Sequence, residues 1–140
     1  MKLQVVDPAR LNKSRSTTLL GALDITITRV TEDFIEGTMP VDHRTHQPYG
    51  LLHGGASVAL AETLGSIGAN LCVDQESFYC VGLDINANHV SGVRSGMVTG
   101  VARPLHLGRS TQVWEIRITS DEGKLVCISR LTMAVVAVKK

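Results

Sequence analysis

An excess of either charge is missing from this chain: 14 lysines and arginines face 13 aspartates and glutamates, a formal net charge of +1. That balance removes the electrostatic footprint of a nucleic-acid binder or of a protein held to an anionic membrane. Aromatic residues are scarce at 4%, so the core must be assembled from Val, Ile, Leu, Ala and Met. Cysteine is limited to Cys72, Cys80 and Cys127. An odd number without close spacing argues against a disulfide framework and suits a reducing compartment. Long apolar runs are absent as well. No stretch reaches the ~18 residues of a membrane span, and the opening "MKLQVVDPAR" lacks the apolar core of a signal peptide. A cytoplasmic protein is expected, with no nucleic-acid and no membrane partner.

The common catalytic signatures are missing too. G-x-S-x-G, H-E-x-x-H and paired C-x-x-C do not occur. The histidines, His43, His46, His53, His89 and His106, lack metal-ligand spacing, so no metal is expected. The "HGG" of residues 53–55 is like the oxyanion loop of larger serine hydrolases, but the chain is too short for that fold and has no nucleophile elbow.

What is present is a chain of 140 residues, 44% hydrophobic and 19% charged, which suits one domain over residues 1–140 with a packed core. A short helix is expected around Pro8 to Lys13. "DITITRV" (24–30) alternates apolar and polar residues as a half-buried strand does, and "FIEGTMPV" (34–41) reads as its hairpin partner. From Gly55 to about Cys72 the period becomes helical, with Leu60, Leu64, Ile67 and Leu71 on one stripe. Strands follow at 79–90, 96–106, 111–119 and 124–138, the last two joined by a turn at "SDEG" (120–123). Two strands, a long helix and four strands with short turns imply an α+β fold. The sheet is antiparallel and the helix is buried against one of its faces.

On that helix Glu62 is a lone carboxylate opposite the apolar stripe, among Gly55, Val58, Ala59, Gly65, Ser66 and Ala69. A solvent-facing side would carry several charges, and an unpaired buried carboxylate is costly. Small residues around it let a ligand or another backbone come close. Glu62 therefore reads as a general base or nucleophile, with Ser66 one turn on able to bond to it or to an attacking water. His53-Gly54-Gly55 opens the helix, where N–H groups are unsatisfied and the dipole is positive, a suitable place for an oxyanion. Gln47 could donate to the same oxygen.

Spacing constrains how these groups work together. Gly54 and Glu62 are eight residues apart, about 12 Å along a helix, whereas one carbonyl needs attacking group and oxyanion donors both at about 3 Å. One helix cannot readily supply both. Two antiparallel copies touching near Val58 and Ala59 could, so an obligate dimer with two composite sites is expected.

The stretches "MPVDHRTHQPYGLLHGGASVALAETLGS", "VGLDINANHV", "RPLHLGR" and "VWEI" resemble the hotdog-fold acyl-CoA thioesterases, in the branch of the dihydroxynaphthoyl-CoA thioesterase and the proofreading thioesterase of enterobactin synthesis. The resemblance runs from about Leu23 to Val136, the first twenty residues matching only loosely. It implies a long helix wrapped by an antiparallel sheet, homodimers that pair into a homotetramer, and hydrolysis of an acyl-CoA to acid and CoA. Glu62 would then be the catalytic carboxylate and Gly54 the oxyanion donor, with Gln47 and His53 orienting the thioester and Ser66 assisting. CoA contacts would fall on Gly82, on His89, Val90, Ser91 and Gly92, and on His106, Leu107, Gly108, Arg109, Ser110 and Thr111. Relatives often have a basic residue after "HV"; here Ser91 stands there, and the expectation is either that Arg94 replaces it or that the nucleotide is held more weakly. No cofactor is expected beyond the CoA of the substrate. An aromatic acyl group, dihydroxynaphthoyl first, is the expected cargo. Phenylacetyl-type esters, a carrier-protein thioester, hydration of an acyl-CoA double bond and non-catalytic acyl-CoA binding are the alternatives.

Overall fold

The computed structural model describes residues 2–140. Strands β1 (Thr26–Val30) and β2 (Ile35–Pro40) form a hairpin whose turn is held by the Thr31 hydroxyl, which accepts from the N–H groups of Asp33 and Phe34 at 3.1 Å. Strands β3 (Phe78–His89), β4 (Met97–Leu107), β5 (Thr111–Ser120) and β6 (Leu125–Ala137) complete an antiparallel sheet in the order β1-β2-β4-β5-β6-β3. Strands β2 and β3 are consecutive along the chain, yet β3 is the far edge of the sheet. The helix α3 (Gly54–Asn70) joins them and therefore crosses the whole inner face.

Alternation along the strands fixes that inner face. Trp114, Ile116 and Ile118 of β5, and Leu131 and Met133 of β6, are fully buried under α3. The single tryptophan is satisfied there, its indole N–H donating to Gln112 Oε1 at 2.9 Å. Leu60 and Leu64 of α3 point into the sheet and are fully buried, each contributing about 1.5–3 kcal/mol by leaving water. Helix and sheet approach closely enough that a Cβ at Gly65 would lie 2.5 Å from Leu131 and one at Gly68 2.8 Å from Trp114.

That packing corrects the sequence reading of the helix. Gly65 and Ala69, expected beside Glu62 on the open face, are buried against the sheet, because the small residues admit the bulky side chains of β5 and β6. Ile67, expected in the core stripe, is half-buried.

The N-terminal segment is more elaborate than the expected single helix. It comprises α1 (Pro8–Leu11), a 3-10 turn (Arg15–Thr17) and α2 (Leu19–Leu23). Pro8 begins α1 where its missing N–H does no harm, and Asp7 caps it by accepting from Ala9 N at 3.0 Å. Asn12 ties the segment to β1, donating to the Ile27 carbonyl and accepting from the Ile27 N–H, both at 2.9 Å. Arg15 adds a bond to the Ile25 carbonyl at 2.7 Å. Residues of this segment and of the open face of α3 line a common cavity. Among the described residues no helix is long and apolar enough to cross a membrane.

Candidate active site

Glu62 is half-buried on the face of α3 turned away from the sheet centre, with no hydrogen-bond or ion-pair partner among the described residues. Its carboxylate lies over Gly82 of β3, where a Cβ would come within 2.8 Å of Oε1. Gly82 thus leaves the space that the carboxylate occupies. The adjacent bulge between Gly82 and Asp84 bends the strand at that point.

Glu62 opens into a cavity of about 630 Å³ between α3 and the N-terminal segment. Leu11, Leu19, Leu20, Ala59 and Ile67 give it apolar walls, and Ser14, Thr18, Thr63, Ser66 and Arg10 add polar groups. The N-terminal residues here were invisible to the sequence reading, since their pattern is mixed and their placement depends on Asn12 and Arg15. The Ser66 hydroxyl lines this cavity but points at Met133 Sδ, 3.9 Å away, and does not bond to Glu62.

The start of α3 faces a different cavity, of about 390 Å³, lined by Gln47, Gly54, Ser57, His89 and the Val90–Gly92 stretch among others. The helix-opening amides are mostly engaged. Gly55 N donates to His53 Nδ1 at 2.8 Å, and Ala56 N and Ser57 N to the His53 carbonyl at 3.0 and 3.2 Å. Only Gly54 N has no acceptor among the described residues, so one free, dipole-backed donor is offered to the cavity. Gln47 accepts from the Tyr49 N–H through Oε1, which leaves its amide N–H₂ free to donate. His53 spends its Nδ1 as the helix cap and is not part of the cavity wall.

The expected CoA-contact residues fall into separate places. Gly82 belongs to the Glu62 carboxylate; His89, Val90, Ser91 and Gly92 belong to the Gly54 cavity. Arg94 lines an adjoining cavity of about 370 Å³ that shares Ser91 and Gly92, and Lys124, not singled out from sequence, faces it there. The His106–Thr111 turn lies at the other end of the sheet. Its Thr111 pairs with Ala134 of β6, whereas His89 pairs with Cys127, a separation of about 23 Å at 3.3 Å per residue. Arg109 in that turn is exposed and makes no ion pair among the described residues.

Thiol chemistry is not offered by this core. Burial raises all three cysteines, the Cys72 thiol to about 11, with Cys80 nearby adding to the effect. No group of three or more metal-ligating side chains occurs among the described residues.

A long helix crossing the inner face of a six-stranded antiparallel sheet defines the hotdog class of fold. A family model described as the thioesterase superfamily matches residues 49–127. The chain belongs to that superfamily and is a thioester hydrolase. It is 53% identical over 125 residues to the 1,4-dihydroxy-2-naphthoyl-CoA hydrolase of Escherichia coli, covering 89% of this chain and 91% of that one. It is 52% identical over 125 residues to the proofreading thioesterase EntH of Cronobacter turicensis, covering 89% and 90%. The crystal structure of a mutant thioesterase from Pseudomonas aeruginosa superposes with a TM-score of 0.95 at 53% identity, covering 98% of this chain and 99% of that one.

Proposed function

We propose that the protein hydrolyses aromatic acyl-CoA thioesters, of the dihydroxynaphthoyl or a similar hydroxyaryl class, to the free acid and CoA. The observation that carries this reading is the unpaired Glu62 carboxylate facing a largely apolar cavity of about 630 Å³ with hydroxyls on its walls. A cavity of that size suits a ring system bearing a few polar groups. The names of the Escherichia coli and Cronobacter relatives support the same class.

Glu62 attacks the thioester carbonyl or activates the attacking water. Gly54 N–H and the Gln47 amide hold the developing oxyanion, and Ser66 borders the acyl group. Because the Glu62 and Gly54 cavities are separate within one chain, the site is completed by a second copy running antiparallel. The edge strand β3 supports such pairing: one side of its ladder is open, and Tyr79, Val81, Leu83 and Val90 are 41–60% exposed, a surface that invites another strand. The homodimer is the unit of activity, and pairs of dimers form the homotetramer. Arg94 and Arg109 bind the CoA phosphates, the second from the partner copy, whose antiparallel direction brings opposite ends of the sheets together.

The test is thiol release from a panel of esters: dihydroxynaphthoyl, hydroxybenzoyl, phenylacetyl and crotonyl, on CoA and on a carrier protein. Hydroxyaryl-CoA should give the highest kcat/KM, and Glu62→Gln should lower kcat at least about 10³-fold while the protein stays folded. A Glu62→Gln protein of normal activity would remove Glu62 from the chemistry. Preference for another ester would replace the substrate class. Whether Glu62 attacks directly is read from label entering its carboxylate in oxygen-18 water under single turnover.

A further inference from the structure

The imidazole of His89 occupies a position that a nucleotide grip does not explain. It packs directly on the Cα of Gly54: a Cβ there would lie 2.9 Å from His89 Nε2, 3.1 Å from Cε1 and 3.3 Å from Cδ2. Nε2 is thus the ring atom nearest the helix start. His89 is the last residue of β3, and it lines the same cavity as Gly54, whose amide has no acceptor among the described residues. Neither of its ring nitrogens has a hydrogen-bond partner among the described residues. His53, by contrast, has its Nδ1 engaged at the helix cap and lies outside that wall.

We infer that His89 is a catalytic residue, donating its Nε2–H to the thioester oxygen beside the Gly54 N–H. This rests on the reading of the Gly54 cavity as the oxyanion end of the site. When the attacking oxygen bonds to the carbonyl carbon, the C=O π pair moves onto the carbonyl oxygen. The two N–H groups stabilise that charge without giving up their protons. The pair returns as the C–S bond breaks and the CoA thiolate leaves, so His89 ends the cycle with the proton it began with. The imidazole is exposed at the end of its strand, and its seat against a glycine that admits it places the donor beside the Gly54 amide before the substrate arrives, as an effective oxyanion donor requires. A glycine at position 54 is then required twice, for the bare amide and for the imidazole seated on its Cα.

The experiment compares His89→Ala and His89→Gln on a hydroxyaryl-CoA and on the same acyl group carried by N-acetylcysteamine, which has no nucleotide. Gln47→Ala is the control for the oxyanion reading. His89→Ala should lower kcat by about 10²-fold or more on both esters. His89→Gln, whose amide nitrogen reaches the place of Nε2, should regain at least about tenfold of that loss. A defect confined to the CoA ester and expressed in KM would make His89 a nucleotide contact and overturn the proposal. Equal loss in Ala and Gln variants on both esters would make it a packing residue only, and would also overturn it. If Gln47→Ala and His89→Ala both keep full activity, the oxyanion assignment of this cavity fails and the proposal fails with it. If Gln47→Ala alone is impaired, only the role of His89 is lost.

Discussion

Glu62 and Cys72 belong to the same helix region but meet opposite fates: the carboxylate keeps an open cavity before it, whereas the thiol is sealed into the core. Burial lifts the Cys72 thiol to about 11, above the ~8.5 of an unfolded chain. The folded state therefore holds this proton more tightly than the unfolded one. Its contribution to stability is complete below about pH 8.5 and is lost as pH rises from there toward 11. Melting temperatures measured between about pH 7 and 10 should accordingly fall more steeply for the native protein than for Cys72→Ala. Parallel curves would assign the alkaline sensitivity to other groups. At this scale the sequence was legible where one residue broke its surroundings, as Glu62 does among small apolar neighbours. It was not legible where the outcome depended on a tertiary contact. The Ser66 hydroxyl turned to Met133, and the Gly54 amide was left free because His53 engages the next three.

Among the elements, α3 and the hairpins followed from periodicity, and the observed helix and strand limits lie within two residues of those expected. Less accessible was the rotation of the helix, because glycine and alanine serve equally well at an open site and under a tryptophan. The register of the sheet decides between these uses. Gly37 and Gly100 are paired across β2 and β4, and Leu64 wedges over them, so that a Cβ at either would lie within 2.8 Å of its methyl groups. Leu64→Ala should destabilise the fold by about 2–5 kcal/mol in urea unfolding. A loss under about 1 kcal/mol would mean that the helix does not lean on the sheet there. The N-terminal helices were legible only in part, since they are too short to be stable alone and are fixed by Asn12 and Arg15 on β1.

For the whole molecule, the fold separates the groups that the proposed hydrolysis must bring together. One end of α3 offers a free amide with Gln47 and His89, the middle offers Glu62 and the acyl cavity, and about 12 Å of helix stands between. In the proposed homodimer a second copy resolves that separation, and the open edge of β3 is the surface on which it would pair. The most direct measurement mixes two disabled chains, one carrying Gln47→Ala with Gly54→Ala and the other Glu62→Gln. Each should be inactive when expressed alone. Co-expressed in equal amounts, half of the dimers should be mixed, each with one intact site, and about a quarter of native activity should return. Mixed dimers that form but stay inactive would contradict a site shared between two chains.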